Sequence, residues 1–258
     1  ADTKIAGQLD IKMVGNNADN ISGYANLKNV SVKRNSYDLE LSTMVLISSF
    51  SDSYRSFKVG SDYVNGEING VFSLNNLNDV YNDFLNTLFP QYYEPVVLKN
   101  EIVATALFEI KANNLISYWT DYPLELGNGK VRIDYNTIEE SLESRADFDV
   151  VQYEDYLLDQ HELVMRKRPH QLLNVSTDVR TLRKTNNDTI TEKIVLNMSI
   201  LPNYLEFLLD FADTTEILAL RSFGSLEFDD DSISIQLEES KLFLDHVPWY
   251  FSNHSRAV

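Results

Sequence analysis

Apolar and polar residues alternate with a period of two along most of this chain, a pattern that suits a sheet with one dry face and one wet face. Ile5, Leu9, Ile11 and Met13 fall on one parity, and Lys4, Gln8, Asp10 and Lys12 on the other. Turn-forming residues at Gly15 to Asn20 end this run, and Ile21 to Val32 follows. After a turn at Lys33 to Ser36 come Tyr37 to Phe50, a turn at Ser51 to Ser53, and Tyr54 to Val59. The next run, Ser61 to Leu74, places Ile68, Phe72 and Leu74 on one face, with Gly66 and Gly70 on the same side. The first 74 residues therefore predict a meander of five or six antiparallel strands.

The spacing then changes. Leu77, Val80, Tyr81, Phe84, Leu85 and Leu88 recur every three or four residues, which predicts an amphipathic helix inserted over 76–89. Asn75 or Asn76 would cap its first turn, Asp79 complements the dipole, and Pro90 stops it. Its polar face carries Asn78, Asp79, Asn82, Asp83 and Asn86 and no lysine or arginine, so packing on the sheet is expected rather than an anionic bilayer.

Alternation resumes at Ile102, Ala104, Ala106, Phe108 and Ile110, and again at Val131, Ile133 and Tyr135. It continues through Ala146 and Phe148, weakens over 151–182, and is clear at Ile190, Ile194, Leu196, Met198 and Ile200. Strands are expected at Ser225 to Asp229, Ile233 to Leu237 and Leu242 to Phe251. Two windows stay open: Leu115, Ile116, Tyr118 and Trp119 fit a helical turn or a strand, and helix competes with strand over Pro202 to Ala219. Gly127-Asn128-Gly129-Lys130 reads as a hairpin. Glycine and proline are scarce (9 and 6) beside 14 Tyr and 13 Phe, and no linker interrupts the chain, so one elongated, mainly β domain over 1–258 is expected.

Candidate chemistry is sparse. A formal charge of −17 opposes nucleic-acid phosphates, and the one basic island, Arg166-Lys167-Arg168, followed by Pro169 and His170, reads as a solvated loop. The absence of cysteine excludes disulfides and thiolate sites, and histidines 161, 170, 246 and 254 lack metal-ligand spacing. Asp229-Asp230-Asp231 lacks the glycine and the distal glutamate of a calcium loop. There is no Gly-x-Ser-x-Gly elbow, and same-face pairs such as Asp147 and Asp149 arise by chance among 39 acidic residues. No enzyme activity, cofactor or metal is expected. Trp249, in Val247-Pro-Trp-Tyr-Phe251, reads as an aromatic packed over a sheet end.

The block Gly15 to Val32, then Leu39 to Ser48, then Val59-Gly-Ser-Asp-Tyr-Val-Asn-Gly-Glu-Ile-Asn-Gly-Val-Phe-Ser-Leu74 with the helix behind it, resembles a repeat unit of the AsmA-like envelope proteins. It is similar in particular to the very long TamB-type proteins of the Bacteroidetes. Ser240 to Ser252 resembles the segment in which such proteins place an extended strand and a tryptophan, whereas residues 110–185 share little with them. The resemblance implies a segment of a longer periplasmic protein, its sheet curled into an apolar trough or tube, a β-taco-like form. It further implies phospholipid acyl chains as cargo, a BamA-like outer-membrane barrel or other envelope subunits as partners, and a role in lipid transport or outer-membrane protein assembly.

On that reading the groove candidates are Leu9, Ile11, Met13, Ile68, Phe72, Leu74, Phe108, Ile110, Ile194, Leu196 and Met198. Val80, Phe84, Leu85 and Leu88 would plug or cap the groove. The competing expectation is a closed, non-catalytic β-sandwich that serves as a binding or structural subunit of an envelope complex.

Overall fold

A computed structural model describes residues 3–34, 37–98, 100–112, 123–186, 188–212, 218–229, 232–238, 240–244, 247–251 and 256–257. The first half contains β1 (Thr3–Val14), β2 (Ser22–Arg34), β3 (Tyr37–Ser51), β4 (Tyr54–Ser61), β5 (Val64–Val71), α1 (Leu77–Leu88), β6 (Val103–Ile110), β7 (Leu124–Leu126) and β8 (Gly129–Asn136). The second contains β9 (Ser141–Tyr153), β10 (Tyr156–Lys167), β11 (Leu173–Lys184), β12 (Thr189–Thr191), β13 (Lys193–Leu201), β14 (Tyr204–Ala212), β15 (Leu218–Phe228), β16 (Ile233–Leu237), β17 (Ser240–Leu244), β18 (Val247–Phe251) and β19 (Arg256–Ala257).

Among the described residues the nineteen strands form one antiparallel sheet. Strands pair in chain order, as short turns and local alternation dictate: β1 with β2, β2 with β3, and so on to β17 with β18. Three strands are each flanked on one side by two shorter pieces. β9 carries β7 and β8, β11 carries β12 and β13, and β15 carries β16 and β17. No pairing joins β1 to β18 among the described residues, so the sheet is not closed into a barrel.

The sheet is curled, and the α1 segment measures the curl. Asp19 in the β1–β2 turn accepts hydrogen bonds from Ser73, Leu74 and Asn75, just ahead of α1. Beyond α1, Gln91 Nε2 donates to the Phe228 carbonyl, and the Tyr92 hydroxyl to that of Asp229. Along a flat sheet the ends of β2 and β15 would lie roughly 53 Å apart, at about 4.8 Å per ladder step. The segment from Leu74 to Tyr92 reaches about 40 Å at most, of which the 12-residue helix supplies roughly 18 Å. The chord is shorter than the arc, so the sheet bends around the helix end.

Several local expectations are corrected. Gly127 to Lys130 is not a hairpin: β7 and β8 run in line along β9, with Leu126 opposite Val151 and Gly129 opposite Phe148. The Gly127 amide donates to the Val150 carbonyl at 2.7 Å, so β9 satisfies the break that a reversal would have left open. The window left open from Pro202 resolves as strand β14, because Leu205, Phe207, Leu209 and Phe211 lie opposite Ile200, Met198, Leu196 and Ile194. The strand expected over Ser61 to Leu74 is β5, which ends at Val71. Neither Asn75 nor Asn76 caps α1 through its side chain; the distant Asp19 takes the amides of Leu74 and Asn75 instead. Leu115, Ile116, Tyr118 and Trp119, together with Asp230 and Asp231, lie outside the described residues.

Candidate functional site

Residues directly opposite in an antiparallel sheet share a face, so the register sorts every strand into two surfaces. One row runs Ile11, Ala25, Leu46, Val59, Gly66, Phe108, Val131, Ala146, Leu163, Thr177, Leu196, Leu209, Ser222. The next, one pleat nearer α1, runs Met13, Gly23, Ser48, Phe57, Ile68, Ala106, Ile133, Ser144, Met165, Val175, Met198, Phe207, Gly224, Leu237. Neither contains a charged residue. The opposite surface is laced with ion pairs: Lys58 with Glu67 at 3.0 Å, Arg145 with Asp147 at 2.9 Å and Arg166 with Glu143 at 3.1 Å. Along these two rows the polarity of the molecule is thus sorted by face.

Glycine adjusts the apolar surface at three points. A Cβ on Gly66 would collide with the Phe108 ring, one on Gly129 with the Phe148 ring and one on Gly224 with the Phe207 ring. Each ring lies over a bare stretch of the neighbouring backbone.

The described residues leave this apolar face largely uncovered away from α1. Among the described residues its closely packed clusters are small: Val30 with Val32, and Leu88 with Leu173 and Val175. Leu196, Phe108 and Ile133 are only half-buried, whereas two sheets packed face to face would bury them; Leu163, Met165 and Met198 pack against the Leu88 cluster under α1. At the β1 edge Leu9 is 60% exposed. The accessible surface is 16018 Å² for 29.6 kDa. A compact monomer of that mass exposes about 11,600 Å².

One end of the face is closed. Arg55, fully buried in β4, donates to the backbone carbonyls of Ala18 and Asp19 and lies 5.5 and 5.8 Å from the Phe50 and Phe72 ring centroids. It folds the β1–β2 turn onto the sheet, and that turn presents Asp19 to the helix. Desolvation pushes the Asp19 carboxyl upward, but the bonds from Ser73, Asn75 and Leu74 outweigh it and hold the pKa below its ordinary value. At the far end of α1, Leu88 packs on Leu173 and Val175, the Asn203 amide donates to its carbonyl at 3.0 Å, and Phe89 meets Phe228 edge to face.

The predicted groove residues divide accordingly. Ile11, Phe108 and Leu196 share one row, and Met13, Ile68 and Met198 the next. Ile110 and Ile194 fall on the row beyond, with Gly129, Phe148, His161 and Val179 between them. Leu9, opposite Leu27, lies at the β1 edge. Phe72 and Leu74 lie past the end of β5 and belong to the closed end, Phe72 being buried beside Arg55. Of the plug or cap candidates, Leu88 and Phe84 join the cluster on β11, while Val80 and Leu85 are half-buried.

Three other residues differ from expectation. Arg166 and Lys167 end β10 rather than forming a loop. Trp249 is 57% exposed on β18 rather than packed down, because β18 is the last long strand and the described residues place nothing over it. His161, which the sequence did not single out, sits among the apolar rows with Nε2 2.7 Å from Thr177 Oγ1 and Nδ1 buried without a partner. Burial holds its pKa below the ordinary value.

Among the described residues no group of three histidines or carboxylates converges on a metal position. The Asp147 and Asp149 side chains are engaged by Arg145 and Asn128. No protein family, curated protein or solved structure matches this chain.

Proposed function

We propose that this chain is a segment of an AsmA-like, TamB-type envelope protein in the periplasm, and that its apolar face carries phospholipid acyl chains between the inner and outer membranes. A hydrocarbon tail needs a continuous dry surface and no specific hydrogen-bond partner. The observation that supports this reading is the pair of uncharged rows crossing thirteen or more strands, which the described residues cover only where α1 packs on β10, β11 and β13. The excess accessible surface, about 4,400 Å², is more than twice what a standard protein partner removes. In this role the segment contributes to outer-membrane lipid supply or protein assembly, contacts a BamA-like barrel or other envelope subunits through regions outside this chain, and performs no catalysis.

The test is photocrosslinking in cells. Probes at Ile11, Phe108 and Leu196 should capture phospholipid, while probes at the outward neighbours Lys12, Leu107 and Asn197 should not. Equal capture from both faces, or none, refutes the reading. A second reading, a non-catalytic structural subunit of an envelope complex, is favoured by β18, where Trp249 and Tyr250 stand exposed beside Val247. Its sandwich form does not suit a single open sheet.

A further inference from the structure

At the closed end, α1, the connector ahead of β6 and the β8–β9 turn line a partly open cavity of about 410 Å³. Lys167 enters it from β10 and Asp83 from the helix, and Glu101 and Glu140 add two more carboxylates. Tyr135 and Leu142 line it from the sheet. Desolvation pushes the Asp83 carboxyl upward and the Lys167 charge only partly offsets it, yet neither side chain has an ion-pair or hydrogen-bond partner among the described residues. On the outer face, by contrast, Lys58 and Arg145 reach their carboxylates directly.

Opposite charges held apart across a cavity match a ligand that carries both signs. Three carboxylates against one lysine disfavour a net anion and favour a ligand with its own cation, and the Phe84 and Tyr135 rings suit an ammonium group. The register supplies the rest. Tyr135 and Leu142 are opposite one another, as are Leu142 and Lys167, and one pleat farther come Ile133, Ser144 and Met165, then Val131, Ala146 and Leu163. The register thus places the sheet side of the cavity next to the uncharged rows.

We propose that this cavity holds the headgroup of a phosphatidylethanolamine-type lipid, its ammonium against Asp83, its phosphate against Lys167 and its acyl chains on the rows beginning at Ile133 and Met165. The proposal rests on the lipid-carrying reading of the face and names the headgroup it selects.

The full chain is titrated with dioctanoyl phosphatidylethanolamine, dioctanoyl phosphatidylglycerol and water-soluble phosphoethanolamine, while a fluorescent fatty acid reports separately on the apolar face. The ethanolamine lipid should bind about tenfold or more tightly than the glycerol lipid, the ratio expected from one charged hydrogen bond. Asp83→Asn and Lys167→Gln should each weaken it by about tenfold and leave fatty-acid binding within twofold. The reciprocal pair Asp83→Lys with Lys167→Asp should recover part of that loss, which a purely structural role would not produce. Circular dichroism and thermal unfolding check that each variant folds, and the reciprocal pair keeps the test decisive if a single variant does not. Equal affinity for the two lipids, or indifference to the substitutions, overturns the headgroup site and leaves the carrier reading standing. Phosphoethanolamine binding as tightly as the lipid also overturns it, because the cavity would then serve a free zwitterion. Absence of fatty-acid binding overturns the carrier reading and this proposal with it.

Discussion

Replacing Asp19 with alanine should free α1 from the sheet while leaving the ladder intact. The carboxylate accepts from Ser73 Oγ at 2.8 Å, the Leu74 amide at 2.7 Å, Asn75 Nδ2 at 2.8 Å and the Asn75 amide at 3.4 Å. It also lies 3.9 Å from the buried Arg55 guanidinium. Such bonds are worth about 0.5–1.5 kcal/mol each. Because Asp19 is itself partly exposed, four together contribute about 2–3 kcal/mol after discounting for solvent. Leaving Arg55 without its anion adds about 1 kcal/mol or more.

A local loss of about 3 kcal/mol corresponds to roughly two decades in the opening equilibrium. Hydrogen exchange read by mass spectrometry should therefore show protection across residues 74–93 falling about 100-fold, with β8 to β11 unchanged. The same carboxyl predicts an acid response. Its folded pKa lies below its unfolded value, so its contribution is full above the ordinary value of 3.8 and is lost as pH falls through the folded value. The wild-type helix should loosen in that window, and Asp19→Ala should show no such step. Exchange of the helix amides within about threefold of wild type would refute the idea that this carboxylate holds the end closed.

Three further outcomes are expected. Gly129→Val drives a side chain into the Phe148 ring and should cost about 2–3 kcal/mol by denaturant midpoint, whereas Gly60→Ala, whose nearest neighbour stands at 3.6 Å, should stay within about 0.5 kcal/mol. His161 is held below its unfolded pKa of about 6.5 by burial, so its contribution is full above that value and is lost as pH falls through the folded one; His161→Leu should flatten stability against pH in that window, measured by thermal melts. Leu196→Asp places a carboxylate in an uncharged row and should abolish phospholipid co-purification, while Asn197→Asp on the other face should leave it unchanged, as read by lipid mass spectrometry.

Much of the fold is legible in the residues because a strand's two faces follow from its own neighbours. Ile11, Phe108 and Leu196 lie far apart in the chain, yet each announces its side by alternation, and the register puts all three on one row. The helix is equally local, its spacing and Pro90 marking Leu77–Leu88 to within a residue at each end. The misreading and the open window share one cause. Gly127 to Gly129 resembles a turn until β9 pairs with both sides of it, and the Pro202 to Ala219 window, open between helix and strand in the residues, is decided when β13 offers matching apolar partners. Trp249 looks like a core residue because its chemistry cannot say that its strand is the last long one.

Alternation and helical spacing along the chain, by themselves, determined which side of most strands sheds water, where α1 falls, and that antiparallel strands dominate. Whether that dry side is covered was decided only in three dimensions, since curl and closure depend on the accumulated twist of many strands and not on any one of them. The closed end is likewise tertiary. Asp19 reaches Ser73 and Asn75 across more than fifty residues, and Lys167 and Asp83 face one cavity from elements that no local pattern connects.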